Sequence, residues 1–205
     1  MTPGPNIILK IPATGSLFKI STIRSGNTFG ARRWTDGKME APMLPDNPWL
    51  RRHPVTGETF WCDECEEVAS EGPWGKGIQY SEVPYAEDAA ENDFQAQLSL
   101  PSLSPDKERY IRTRLWWLWN DPARNSDDSG ARPAGFDANL RRLGLLLSHD
   151  EDDSRLMAAE CFRELGDHEK AAELLDFNFP EEFKATVGVI FQANEERNVC
   201  LLEIA

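Results

Sequence analysis

Cys62-Asp63-Glu64-Cys65 is the one cysteine pair in this 205-residue chain at a spacing used for metal binding or disulfide exchange. The thiolate is the reactive and ligating form, so either chemistry needs surroundings that favour the anion. Asp63, Glu64, Glu66 and Glu67 surround the pair with negative charge, which argues against redox exchange. A tetrahedral zinc site would need two further ligands. His53 is the nearest, with Asp63 or Glu66 as an oxygen donor. Cys62, Cys65 and His53 are therefore the candidate metal ligands and zinc the one candidate cofactor. The simpler reading, which we favour, is two reduced thiols at a strand end and no cofactor.

Other chemistry is sparsely supplied. His149 and His168 stand in polar helix-boundary contexts, where a solvated imidazole is expected. No serine sits in a nucleophile elbow, no glycine-rich loop matches a phosphate cradle, and no His-Glu-x-x-His occurs. Asp150-Glu151-Asp152-Asp153 lacks the spacing and turning glycine of a calcium loop and reads as a solvated acidic start to a helix. We expect no catalytic residue and no enzymatic activity. Thirty-five acidic against 22 basic residues give a formal net charge of -13, a field that repels nucleic acid and anionic membranes. Seven tryptophans, with Arg32, Arg33, Arg51 and Arg52 nearby, could form a stacking platform for single strands, but the charge favours a structural core. The expected partner is another protein, neutral or basic.

A phrase occurs twice: Ile11-Pro12-Ala13-Thr14-Gly15-Ser16-Leu17-Phe18 and His53-Pro54-Val55-Thr56-Gly57-Glu58-Thr59-Phe60. Each copy has the outline of a zinc knuckle, Cys-Pro-x-Cys-Gly-x-x-Phe, in which two thiolates flank a tight turn. The four ligand positions hold Ile11, Thr14, His53 and Thr56. Structural zinc in small fingers supplies about 10–16 kcal/mol of apparent folding free energy, so another source of stability is required. The expected substitutes are Ile11, Phe18, Phe29, Trp34, Trp49, Phe60 and Trp61, together with docking onto the helical part. On this reading residues 96–205 alone would be insoluble.

Short strands are expected over 6–10, 17–24 and 58–62, with another ending in Trp34. Ala41-Pro42-Met43-Leu44-Pro45-Asp46-Asn47-Pro48-Trp49 cannot be helical, because its prolines remove donors and fix φ. It should be an extended arm if Met43, Leu44 and Trp49 are buried. From Ser104 the pattern turns helical, with Ser104 as cap and Pro105 at the first helical position. Helices are expected over 105–120, 137–148, 154–165, 167–176 and 181–193, with a loop over 120–135. Cys161 and Cys200 read as small core residues in helix-like segments. No run approaches the length of a membrane span, and residues 1–10 do not read as a signal peptide, so a cytoplasmic address is expected.

Residues 156–175 resemble one tetratricopeptide helix pair. Small Ala158 and Ala159 lie at the close approach, Leu165-Gly166-Asp167 closes one helix and caps the next, and Ala171 and Leu174-Leu175 follow. Leu201-Leu202 reads as a fainter echo of Leu174-Leu175. The stretches Ser25-Gly26-Asn27-Thr28-Phe29-Gly30-Ala31, Trp34-Thr35-Asp36-Gly37, Ala41-Pro42-Met43-Leu44-Pro45 and Pro54-Val55-Thr56-Gly57 resemble bacterial proteins of uncharacterised activity with an amino-terminal zinc ribbon, here without its cysteines.

The expected fold is α+β. A small, β-rich, degenerate zinc-ribbon-like part over 1–95 packs on an α-helical, tetratricopeptide-like part over 96–205. The resemblance to that repeat class implies a docking surface. The leading expectation is a non-enzymatic bacterial adaptor that binds another protein. The alternatives are an immunity or antitoxin-like protein neutralising a basic toxin, and a zinc-binding protein using Cys62, Cys65 and His53.

Overall fold

The structure is a computed structural model that describes residues 1–72, 79–125 and 131–204. Its fold is α+β, with small antiparallel sheets over residues 2–88 followed by helices. The strands are β1 (Thr2–Lys10), β2 (Leu17–Ser25), β3 (Arg32–Trp34), β4 (Met39–Glu40), β5 (Leu50–Arg52), β6 (Thr59–Trp61), β7 (Glu66–Glu71), β8 (Glu87–Asp88) and β9 (Glu203–Ile204). The helices are α1 (Glu91–Leu98), α2 (Pro105–Asn125), α3 (Phe136–Leu146), α4 (Asp152–Glu164), α5 (His168–Leu175) and α6 (Lys184–Glu195). Two compact units result: Met1–Ala31 with Glu40–Asp93, and Arg32–Met39 with Phe94–Ala205.

In the first unit one sheet runs in the order β2-β1-β7 and another in the order β6-β5-β8. The aromatic and β-branched runs that suggest strands are strands here, and the 41–49 arm is non-helical. Its side chains differ from expectation, since Met43 and Leu44 are exposed and Trp49 is 56% exposed. Phe29 is 88% exposed. It lies in the tight turn closed by the Ala31 amide donating to the Thr28 carbonyl, which leaves its ring no layer to enter. The core of this unit therefore draws on fewer aromatics than the composition implies.

In the second unit the core joins Trp116 of α2, Leu140 and Leu143 of α3, Ala158 and Ala159 of α4, Leu174 of α5 and Ile190 of α6. The α4–α5 hairpin follows its sequence signals. Gly166 adopts φ +78°, the Asp167 amide donates to the Phe162 carbonyl, and the Asp167 side chain accepts from the Lys170 amide at 3.3 Å. Ser104 caps α2 by accepting from the Lys107 amide at 3.4 Å.

Three expectations change. The helix α2 continues through Asp121-Pro122 to Asn125. Although the proline costs one backbone bond, the added turn places Arg124 in a buried ion pair with Asp36 and a half-exposed one with Asp121. Leu201-Leu202 is not a second hairpin, because the chain leaves α6 through Arg197 at φ +52° and runs extended into β9, which pairs with β3. Cys200 lies on that extended segment and is exposed. The short helix α1 carried too little apolar periodicity to be anticipated. Part of the expected 120–135 loop, residues 126–130, lies outside the described residues.

Candidate functional site

The doubled phrase folds into two turns with the same hydrogen bonds. In the first, between β1 and β2, the Gly15 amide donates to the Ile11 carbonyl at 2.8 Å and the Ile11 amide to the Ser16 carbonyl at 3.0 Å. In the second, between β5 and β6, Gly57 donates to the His53 carbonyl at 2.8 Å and His53 to the Glu58 carbonyl at 2.8 Å. Gly15 and Gly57 take φ +73° and +71°, a region that strains any residue with a Cβ. Thr14 and Thr56 accept the amides of Ser16 and Glu58 through their hydroxyl oxygens at 3.4 and 3.3 Å. That bond keeps each turn closed without a thiolate. The Thr14 hydroxyl also lies 3.0 Å from Glu58 Oε2, joining the turns side by side.

The other two ligand positions are filled structurally. Ile11 is buried with Leu9, Phe18 and Phe60, and the Phe18 and Phe60 rings lie 4.0 Å apart between centroids. His53 is buried too, and its Nδ1 accepts the amides of Val55 and Thr56 at 3.3 and 3.2 Å. Nε2 therefore carries the hydrogen and donates to the Leu17 carbonyl at 3.3 Å. Neither nitrogen has a lone pair left for a metal.

Cys62 and Cys65 pack against the same Phe18–Phe60 cluster, and the Cys65 thiol donates to the Trp61 carbonyl at 3.3 Å. Burial raises both thiols to about 11; Arg51 opposes this at Cys62, while Cys62 and neighbouring carboxylates add to it at Cys65. Among the described residues no three His, Cys, Asp or Glu side chains form a group that could hold a metal ion. It follows that Cys62 should alkylate at least about tenfold more slowly than exposed Cys200 at pH 7.5, because only the thiolate reacts. Mass-spectrometric labelling rates check this, and equal rates would contradict it.

The second unit holds a buried charged cluster that sequence reasoning missed. Asp36, on the turn after β3, pairs with Arg124, and its Oδ2 accepts from the Asn120 side chain at 3.1 Å. Its carbonyl accepts from Trp117 Nε1 at 3.0 Å. Arg163 donates to both carboxylate oxygens of Glu160 at 2.7 and 2.6 Å, and to the carbonyls of Asn198 and Cys200. Trp117, Asn120 and Arg124 of α2 are thereby occupied by Asp36, and Arg163 of α4 by the carbonyls of Asn198 and Cys200.

Glu164, also buried, accepts from Trp116 Nε1 at 3.1 Å and from Asn120 at 3.3 Å. Desolvation foremost, then the charges of Glu160 and Asp36, push its carboxyl up to about 8 against the opposing pull of Trp116 and Arg163. The folded state therefore binds this proton more tightly than the unfolded chain, and folding stability must fall as pH rises from the ordinary carboxylate value towards 8. Urea midpoints measured from pH 5 to pH 9 should decline, and the decline should flatten in Glu164→Gln whatever the absolute stability of that variant. An unchanged slope would contradict the assignment.

A different surface feature belongs to the first unit. A groove of about 680 Å³ runs along β2 and is lined by Ile20, Ser21, Ile23, Leu44, Pro45 and Tyr85 among others. At its start, Lys19 has its outward backbone groups engaged, the amide donating to Pro84 at 2.8 Å and the carbonyl accepting from Ala86 at 2.9 Å. Strand geometry repeats every two residues, so Ser21 points its amide and carbonyl the same way. Since β2 is the terminal strand of its sheet, no strand of that sheet covers this edge. The lysine and arginine lining the groove are engaged, Lys19 with Glu71 at 3.7 Å and Arg51 with Asp88.

No protein-family profile, curated protein or solved structure matches this chain. No helix among the described residues is long and apolar enough to cross a membrane.

Proposed function

We propose that this chain is a non-enzymatic, protein-binding adaptor in which a degenerate zinc-ribbon-like scaffold presents a docking groove. The observation that supports it is the groove along β2. Its walls are mostly apolar, its lysine and arginine are already paired, and an open strand edge supplies backbone donors and acceptors. Such a recess suits holding a chain better than transforming a small molecule. The engagement of both His53 nitrogens within its own turn agrees with a scaffold role for that residue.

The test is photo-crosslinking in a bacterial host expressing the full chain, with a photoreactive amino acid placed in turn at Ile23, Val55, Phe177 and Phe191. A discrete protein adduct at one or more positions is expected. Absence of adducts at all four, in a chain that melts normally, would overturn the adaptor reading.

A further inference from the structure

The two edges of the β2-β1-β7 sheet are defended differently. On one side β7 presents Glu66 and Glu67, charges of the kind that deter edge-to-edge pairing. On the other, β2 passes from Lys19 through Ile20-Ser21-Thr22-Ile23 without a charge before Arg24. The chain itself begins to cover this edge, because Tyr85 forms a parallel bridge with Lys19, and then diverges as residues 87–88 join β5. From Ser21 onward the row of outward backbone groups is left to the groove.

We propose that this groove receives an extended segment of a partner protein, which adds to β2 as a further strand, carries apolar side chains at alternate positions and is basic at its flanks. The inference rests on the adaptor reading and names its partner class. Past the engaged Lys19, the lining residues 20–23 cover about 10 Å at about 3.3 Å per residue, enough for a short strand, and Ile20, Ile23, Leu44 and Tyr85 supply apolar contacts for alternate side chains. Charge selects the sign of the flanks. The unit that carries the groove has six basic against thirteen acidic side chains, with Lys19 and Arg51 held by Glu71 and Asp88. The same imbalance disfavours a second copy of this chain as the occupant. Residues 44–47 and Tyr85 line the groove together with β2.

Display of random nonapeptides against the full chain supplies the probe. Enrichment of peptides with alternating apolar residues and Lys or Arg flanks is expected, with affinity falling as salt rises. Ser21→Pro removes the outward donor at an edge position, where proline does not interrupt the ladder, and should weaken the enriched peptide about tenfold. Ile23→Lys is the second variant, in case loss of the Ser21 hydroxyl bond to Asn6 at 3.2 Å unsettles the strand. Val55→Lys, on an exposed turn, should leave binding unchanged. The proposal is overturned by no enrichment, by enriched peptides that bind both groove variants as tightly as the parent, or by a dimer of this chain that Ser21→Pro dissociates. If partner adducts form in the host only away from Ile23, this inference falls while the adaptor reading stands; absence of any adduct sinks both.

Discussion

Replacing Phe18 by alanine is expected to destabilise the chain by about 3–5 kcal/mol, the range for deleting a large buried aromatic. Phe18 is fully buried, and with Phe60, Leu9 and Ile11 it fills the space beneath the paired turns. A zinc ion would clamp two such turns by covalent-strength bonds to four ligands. Here an apolar cluster and the threonine-capped amides hold the turns. The companion variant Phe60→Ala should be non-additive with it, because the rings touch at 4.0 Å between centroids. Urea unfolding of the two single variants and the double variant measures both effects. A loss below about 1 kcal/mol for Phe18→Ala would show that something else holds the turns.

A fragment of residues 96–205 is expected to be insoluble or to melt without cooperativity. The reason is local to the helical unit, since Arg32–Met39 belongs to it and the truncation removes Asp36 together with β3. Of its ion pairs Arg124 then keeps only that with Asp121, at 2.9 Å, and β9 loses its partner strand. The point variant Asp36→Ala isolates the electrostatic part. Uncovering one partner of a buried pair costs about 3–5 kcal/mol, and the surviving Asp121 contact places this case near the lower end. Calorimetry of the fragment and urea unfolding of the variant are the measurements. A soluble fragment with a single sharp transition would contradict the account.

Much of this architecture was legible in the sequence wherever a local rule dominated. The glycines of the doubled phrase marked positive-φ turns, the prolines of 41–49 excluded helix, and Leu165-Gly166-Asp167 announced a hairpin. What escaped was set by distant partners. Nothing near Asp36 in sequence indicates Arg124, and nothing near Leu201 indicates that Arg163 will hold residues 198 and 200 extended. Phe29 and Trp49 looked like core residues by type, but exposure is decided by which face a short turn presents. The groove was invisible for the same reason, because its walls come from β2, the 44–47 strip and Tyr85, which only the folded chain brings together.

Hydrogen exchange at the Ser21 amide, with and without the enriched peptide, tests the central claim most directly. The account predicts that this amide exchanges readily in the free chain and becomes strongly protected in the complex, while the amides of Val55 and Thr56, already bonded to His53, change little. A bound complex in which the Ser21 amide exchanges as fast as in the free chain would contradict strand addition at β2.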